Sequence, residues 1–202
     1  MTTTGTPTAR AHLIEVDDSI LVVIDVQAGF LEKMDTERAD AVVEHVAWLS
    51  RVAGVLGVPV VVTAEEPDGY GGAVDLRVAA ALPPGTEALC KPVFGLAACP
   101  PILAAIEATG RRTAVLVGLD TDVCVTHSAL GLLARGYRVA AVADALGSSG
   151  SGRAHDYGLD RLRSAGVALL GTRNLYYEWV PSVERAMTLR EPLQDFPMPG
   201  GW

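Results

Sequence analysis

Short runs of Val, Ile and Leu recur along the chain at residues 20–26, 60–63, 113–118, 138–142 and 167–170, with a weaker sixth at 87–91. Consecutive apolar positions of this kind describe strands buried on both faces, since a strand with one wet face alternates. Between the runs the period changes. Val42, Val46, Leu49, Ala53 and Leu56 recur at spacings of four and three, which places them on one stripe of a helix that Gly57 and Pro59 end. A second helix is predicted from Pro100 or Pro101, where proline's missing N–H costs nothing, through Ile102, Ala105 and Ile106 to Gly110. A third runs from about Cys124 to Arg135, buries Val125, Ala129 and Leu132 or Leu133, and stops at Gly136. A fourth spans about residues 154–165 and stops at Gly166.

Units of strand, helix, glycine and strand predict a parallel sheet covered on both faces, because parallel strands need crossover connections. The predicted class is α/β: three layers, α/β/α, doubly wound on a six-stranded, mainly parallel sheet. Residues 65–85 are rich in Gly and Pro and read as a long functional loop. Residues 1–17 read as an N-terminal leader, 18–190 as one domain and 191–202 as a C-terminal tail. A chain of 202 residues suits one core better than two.

Composition narrows the function. Half the residues are hydrophobic and 20% charged, yet no apolar run nears the length of a membrane span. The N-terminal stretch lacks the apolar core and cleavage site of a secretory signal, so a cytoplasmic protein without membrane partners is expected. A net charge of −8 repels polyanions, and no basic patch offsets it, so nucleic acid is not an expected partner. Cys90, Cys99 and Cys124 make an odd number without a secretion signal, which points to reduced thiols, at least one of them reactive.

In open α/β sheets, ligands bind beyond the carboxyl ends of the strands. Asp25 stands at the end of the first apolar run; a buried Asp is expensive unless paired or used, and one binding turn amides would also fit. Lys91 ends the weak strand, where a lysine also reaches solvent along its stem. Cys124 follows a strand and a short loop at the predicted start of a helix, where oriented amides lower a thiol's pKa and favour thiolate. A cysteine there also serves as a small buried hydrophobe, and Thr121 and Asp122 read as helix caps. Jointly, a carboxylate, an ammonium and a thiol at three strand exits supply a base, a charge stabiliser and a nucleophile. Gln27 is a candidate substrate contact, Phe30 and Phe94 are candidate pocket walls, and the Gly-Ser run at 147–152 reads as a flexible loop at the site mouth.

No metal or cofactor is expected. His12, His45, His127 and His155 show no zinc-ligand spacing, and Cys124 with His127 does not make a site alone. The first strand runs into Gln27-Ala28-Gly29-Phe30 rather than the glycine-rich turn of a dinucleotide site.

The segment Gly118-Leu119-Asp120-Thr121-Asp122-Val123-Cys124-Val125 resembles the isochorismatase-like hydrolase superfamily. So do Ala129, Gly136-Tyr137, Val142-Ala143-Asp144-Ala145 and Asp25-x-Gln27-x-x-Phe30, within a similarity spanning about residues 20–179. The resemblance implies Asp25 as base, Lys91 as charge partner and Cys124 as nucleophile. It further implies a cis peptide at Leu119–Asp120, with the backbone amides of Asp120 and Cys124 forming an oxyanion hole. Residues Pro92-Val93-Phe94-Gly95 follow the family pattern only loosely. Metal-dependent nicotinamidases carry Asp-x-His after the second strand, where this chain has Thr63-Ala64-Glu65-Glu66-Pro67, so the resemblance is to the metal-free, substrate-orphan branch. The implied activity is cysteine-dependent hydrolysis of a small amide or related C–N bond. Its rivals are vinyl-ether hydrolysis and a non-catalytic or thiol-sensing assembly protein using Cys90 and Cys124. A homo-oligomer is expected from the apolar surface of residues 175–179 and of the 65–85 loop.

Overall fold

A computed structural model describes residues 13–66 and 68–201. Six strands, β1 (Ser19–Ile24), β2 (Val60–Ala64), β3 (Ala88–Cys90), β4 (Thr113–Gly118), β5 (Arg138–Leu146) and β6 (Ala168–Leu170), form one sheet in the order β3-β2-β1-β4-β5-β6. Every pairing is parallel. β1 lies centrally, with Ile24 beside Thr63 of β2 on one side and Gly118 of β4 on the other. The chain winds outward from β1 towards β3, then returns and winds the other way from β4 to β6. The strand order therefore reverses between β1 and β4, and a crevice opens there beyond the carboxyl edge.

Alternation along β1 divides the core. Leu21 and Val23 face one layer, where they meet helix α2 (Thr36–Leu56) and helix α7 (Thr172–Trp179); Ile20, Val22 and Ile24 face the layer of helix α4 (Pro100–Ala108), helix α5 (Thr126–Ala134) and helix α6 (Ala154–Ser164). All six residues of β1 and of β4 are buried, as consecutive apolar runs require. α2 starts where Asp35 accepts hydrogen bonds from the Glu37 and Arg38 amides, and it ends at Gly57, whose φ of 71° suits glycine.

The structure departs from the sequence reading at several places. Residues 1–12 of the expected leader lie outside the described residues, but Ile14 is buried and its N–H donates to the Glu178 carboxylate. The supposed tail packs against α2: Leu193 and Met198 are buried, and the Trp48 indole donates to the Phe196 carbonyl. Within the expected loop 65–85, helix α3 (Leu76–Ala81) is capped by Asp75 and buries Val78 and Ala81. β5 runs on to Leu146, because Gly118 and Leu146 pair again after a register shift. Helix α1 (Ala28–Leu31) and helix α8 (Val183–Thr188) complete the chain.

Candidate active site

Asp25 is the first residue past β1 and has a φ of 48°, in the left-handed region that a non-glycine residue enters only when its surroundings hold it there. Lys91 is the first residue past β3. Cys124 lies in a π-helical turn, Thr121–Val125, that precedes α5. The sheet brings the three together. Lys91 Nζ stands 2.9 Å from Asp25 Oδ2 and 3.6 Å from Cys124 Sγ, and it donates to the Val93 carbonyl at 2.8 Å. The Lys91 and Asp25 side chains are 0% and 1% exposed, so the ammonium does not snorkel to solvent. Asp25 Oδ1 accepts the Thr63 hydroxyl at 2.8 Å. Oδ2 accepts no hydrogen bond of regular geometry; its partner is the Lys91 ammonium of the 2.9 Å ion pair.

Glu65, one residue past β2, is a second carboxylate in the site that the sequence reading treated only as a departure from a metal motif. The Cys124 thiol donates towards its Oε2 at 3.7 Å, and the same oxygen lies 3.8 Å from Lys91 Nζ. Gln27 places it. The Gln27 amide accepts the Glu65 N–H at 2.7 Å and donates to the carbonyls of Glu65 and Gly72 at 2.9 and 2.6 Å. Gly71 closes against this clamp, and a Cβ there would collide with the Glu65 carbonyl. Gln27 is fully buried with both amide hydrogens committed, so the expectation that it contacts substrate is corrected: it positions the exit of β2.

The electrostatics correct a second expectation. The Cys124 thiol is not lowered by a helix end but pushed up to about 12, by burial first and then by the Asp25 charge, which Lys91 offsets only in part. Burial likewise raises the Asp25 carboxyl against the pull of Lys91. Burial works against the Lys91 ammonium, but Asp25, Cys124 and Glu65 together hold its pKa above that of an ordinary lysine.

The Leu119–Asp120 peptide is cis. The turn that follows is tied down from behind. Ser149 donates its N–H and hydroxyl to the two oxygens of Asp120, each at 2.7 Å, and the Ser148 hydroxyl donates to Asp122 at 2.6 Å. The Thr121 hydroxyl donates to the Gly147 carbonyl at 2.8 Å. Thr121 and Asp122 are thus not helix caps, and residues 147–152 clamp the turn rather than hang loosely at a mouth.

The two aromatic candidates differ in burial. Phe30 packs in the core edge-on to Tyr70. Phe94 is 52% exposed and stands edge-on to His127, along a groove of about 700 Å³ that none of Asp25, Lys91 and Cys124 lines. A cavity of about 730 Å³ between Tyr177, Val183, Met187 and Leu193 is likewise not lined by the triad. Cys90 is exposed and Cys99 buried.

Asp25, Glu65 and Cys124 offer three ligand atoms within 4.8 Å of one another, the grouping a metal would need. They do not fit one, because the Lys91 ammonium contacts all three and already fills the place of a cation.

Residues 19–174 match the isochorismatase domain family model. Isochorismatase domain-containing protein 1 of Salmo salar is 34% identical over 135 residues, which is 65% of this chain and 45% of that protein, so the chain matches under half the length of that relative. The probable hydrolase YcaC of Escherichia coli is 26% identical over 181 residues, covering 87% of this chain and 86% of the relative. The crystal structure of the E. coli YcaC gene product, described as an octameric hydrolase of unknown specificity, superposes with a TM-score of 0.78 at 22% identity over 95% of both chains. A structure described as the MAR1 ribonuclease of Caenorhabditis elegans gives a TM-score of 0.80 at 24% identity, covering 93% of this chain and 96% of the other.

Proposed function

The chain belongs to the isochorismatase family, and we propose that it is a cysteine-dependent hydrolase of a small amide or related C–N bond. One observation carries the reading: a fully buried ammonium lies 2.9 Å from a carboxylate and 3.6 Å from a thiol at the switch point of the sheet. Such a constellation has no packing purpose that apolar residues would not serve better.

In this reading Asp25 takes the thiol proton as the Cys124 sulfur attacks the substrate carbonyl. The C–N bond breaks, the proton passes to the leaving nitrogen as the amine departs, and a thioester remains on Cys124. Water, deprotonated by Asp25, then cleaves the thioester, releasing the acid and returning a proton to the thiol. The Asp120 and Cys124 amides hold the oxyanion, and loss of one such donor costs roughly 100-fold in rate. Lys91 keeps Asp25 charged and offsets the sulfur's developing charge. The raised thiol suits this order, since the nucleophile is generated by proton transfer within the complex rather than standing as a resting thiolate.

YcaC is described as a hydrolase of unknown specificity and as an octamer. We extend hydrolysis and homo-oligomeric assembly, in a cytoplasmic setting, to this chain as proposals. The ribonuclease description of the other neighbour is not extended, because a chain of net charge −8 with no basic run opposes a polyanion. Incubation with a panel of small amides, carbamoyl compounds and nicotinamide, followed by release of ammonia or amine, tests the reading. Turnover of a panel member supports it; release only from vinyl ethers, with every amide intact, contradicts it.

A further inference from the structure

Glu65 gives this site an electrostatic character that the triad alone would not have. With a neutral thiol, Asp25 and Lys91 cancel, and the Glu65 carboxylate leaves one negative charge 3.7 Å from the sulfur. Further out, Asp120 feels both the Asp122 carboxylate and the Lys33 ammonium, and Lys33 stands 4.1 Å from the centre of the Tyr70 ring. Glu65 is also the member of the cluster that meets solvent: its side chain is 26% exposed where Asp25 and Lys91 are at 1% and 0%. A molecule in contact with the thiol therefore lies within reach of this carboxylate. Behind it, the buried Asp25 Oδ2 is held by the Lys91 ammonium at 2.9 Å. The Glu65 carboxylate is thus the acceptor beside the thiol that solvent reaches.

We propose that Glu65 is a specificity-determining residue: it admits neutral or cationic C–N substrates that bring N–H donors and turns away substrates carrying a carboxylate or phosphate near the scissile bond. The inference rests on the hydrolase reading for the word substrate, but the charge selection belongs to the approach to Cys124 and is measurable without turnover. Gln27 fixes the Glu65 backbone, from which the side chain reaches the thiol.

The test compares two thiol reagents of similar size and opposite charge, 2-aminoethyl and 2-sulfonatoethyl methanethiosulfonate, on the full chain carrying Cys90→Ser to remove the exposed thiol. Labelling of Cys124 is read by peptide mass spectrometry. The cationic reagent is expected to label about tenfold faster than the anionic one. Glu65→Gln should bring the ratio to within about twofold of unity, Glu65→Asp should largely keep it, and Asp68→Asn, an exposed acid nearby, should leave it unchanged. A ratio is unaffected by a general change in thiol reactivity, which moves both rates together. Near-equal rates in the Glu65-containing protein, an undiminished ratio in Glu65→Gln, or no labelling of Cys124 by either reagent would each overturn the proposal. A preserved ratio in a protein that hydrolyses no amide would count against the hydrolase reading and leave the role of Glu65 standing as charge selection at the thiol.

Discussion

The Cys124 thiol carries a pH dependence whose sign follows from its surroundings. The native state holds its proton to about pH 12, whereas a cysteine in an unfolded chain loses it near 9. Between those values the native state binds more protons, so stability falls as pH rises through that window and is unaffected below it. Cys124→Ala removes the effect. Its unfolding free energy should fall less steeply with pH than that of the parent, by about 1 kcal/mol per pH unit between about pH 9 and 11; parallel slopes in denaturant titrations would show that the thiol is not held protonated. Lys91 allows a second prediction at this scale. Lys91→Ala leaves the Asp25 carboxylate buried without its counter-charge, and the expected loss is about 3–5 kcal/mol. Adding Asp25→Asn should recover much of it, and no recovery would argue that the lysine contributes by packing alone. Asp25, Lys91 and Cys124 were legible because each polar residue closes or follows an apolar strand at the edge where ligands bind. Glu65 was not, since within Thr63-Ala64-Glu65-Glu66-Pro67 it marks only the absence of a metal motif until the thiol is seen beside it. The thiol's pKa was misjudged for a related reason: the sequence places Cys124 near a helix start but does not show that it is buried between two carboxylates.

At the scale of elements, the exit of β2 is the piece on which the site depends most. Gln27, from the β1 exit, makes three hydrogen bonds to the backbone of Glu65 and Gly72. Gln27→Ala leaves those buried groups without partners, and a destabilisation of about 1–3 kcal/mol is expected in urea titrations, together with a lower cationic preference in Cys124 labelling. An unchanged stability would mean that water or the loop itself replaces the amide. β1, β2 and β4 were readable from consecutive apolar positions because burial on both faces leaves no polar alternation, whereas the edge strands β3 and β6 are exposed or half-buried along their length and give shorter runs. The short helices were less so. α3 spans six residues and opens on Leu76, which is 82% exposed, so no helical period marks it. The π turn around Cys124 was unreadable for a different reason: its hydrogen bonding is set by Ser148, Ser149 and Gly147, more than twenty residues away.

The whole molecule presents a different surface from the one its composition suggests. Leu175, Tyr176 and Trp179, read as excess apolar surface, are buried in the protein's own core, where the Trp179 indole donates to the Ser19 hydroxyl at 3.0 Å. The expectation of self-association thus loses that support and rests instead on exposed Tyr177, Val183 and Met187. Light scattering at micromolar concentration should give a mass above that of one chain, and a clean monomer would refute assembly. Among the described residues no helix is long and apolar enough to cross a membrane. Because an ammonium fills the space a metal would take, EDTA should leave hydrolysis unchanged; loss of turnover restored by zinc would contradict the site described here. The most direct test of the whole account is the rate at which Cys124→Ala, shown to be folded by its circular dichroism, hydrolyses an amide that the parent protein turns over. The account predicts no hydrolysis above background, with Cys90→Ala and Cys99→Ala retaining it, whereas turnover surviving in Cys124→Ala would contradict the covalent mechanism and leave water activated by Asp25 in its place.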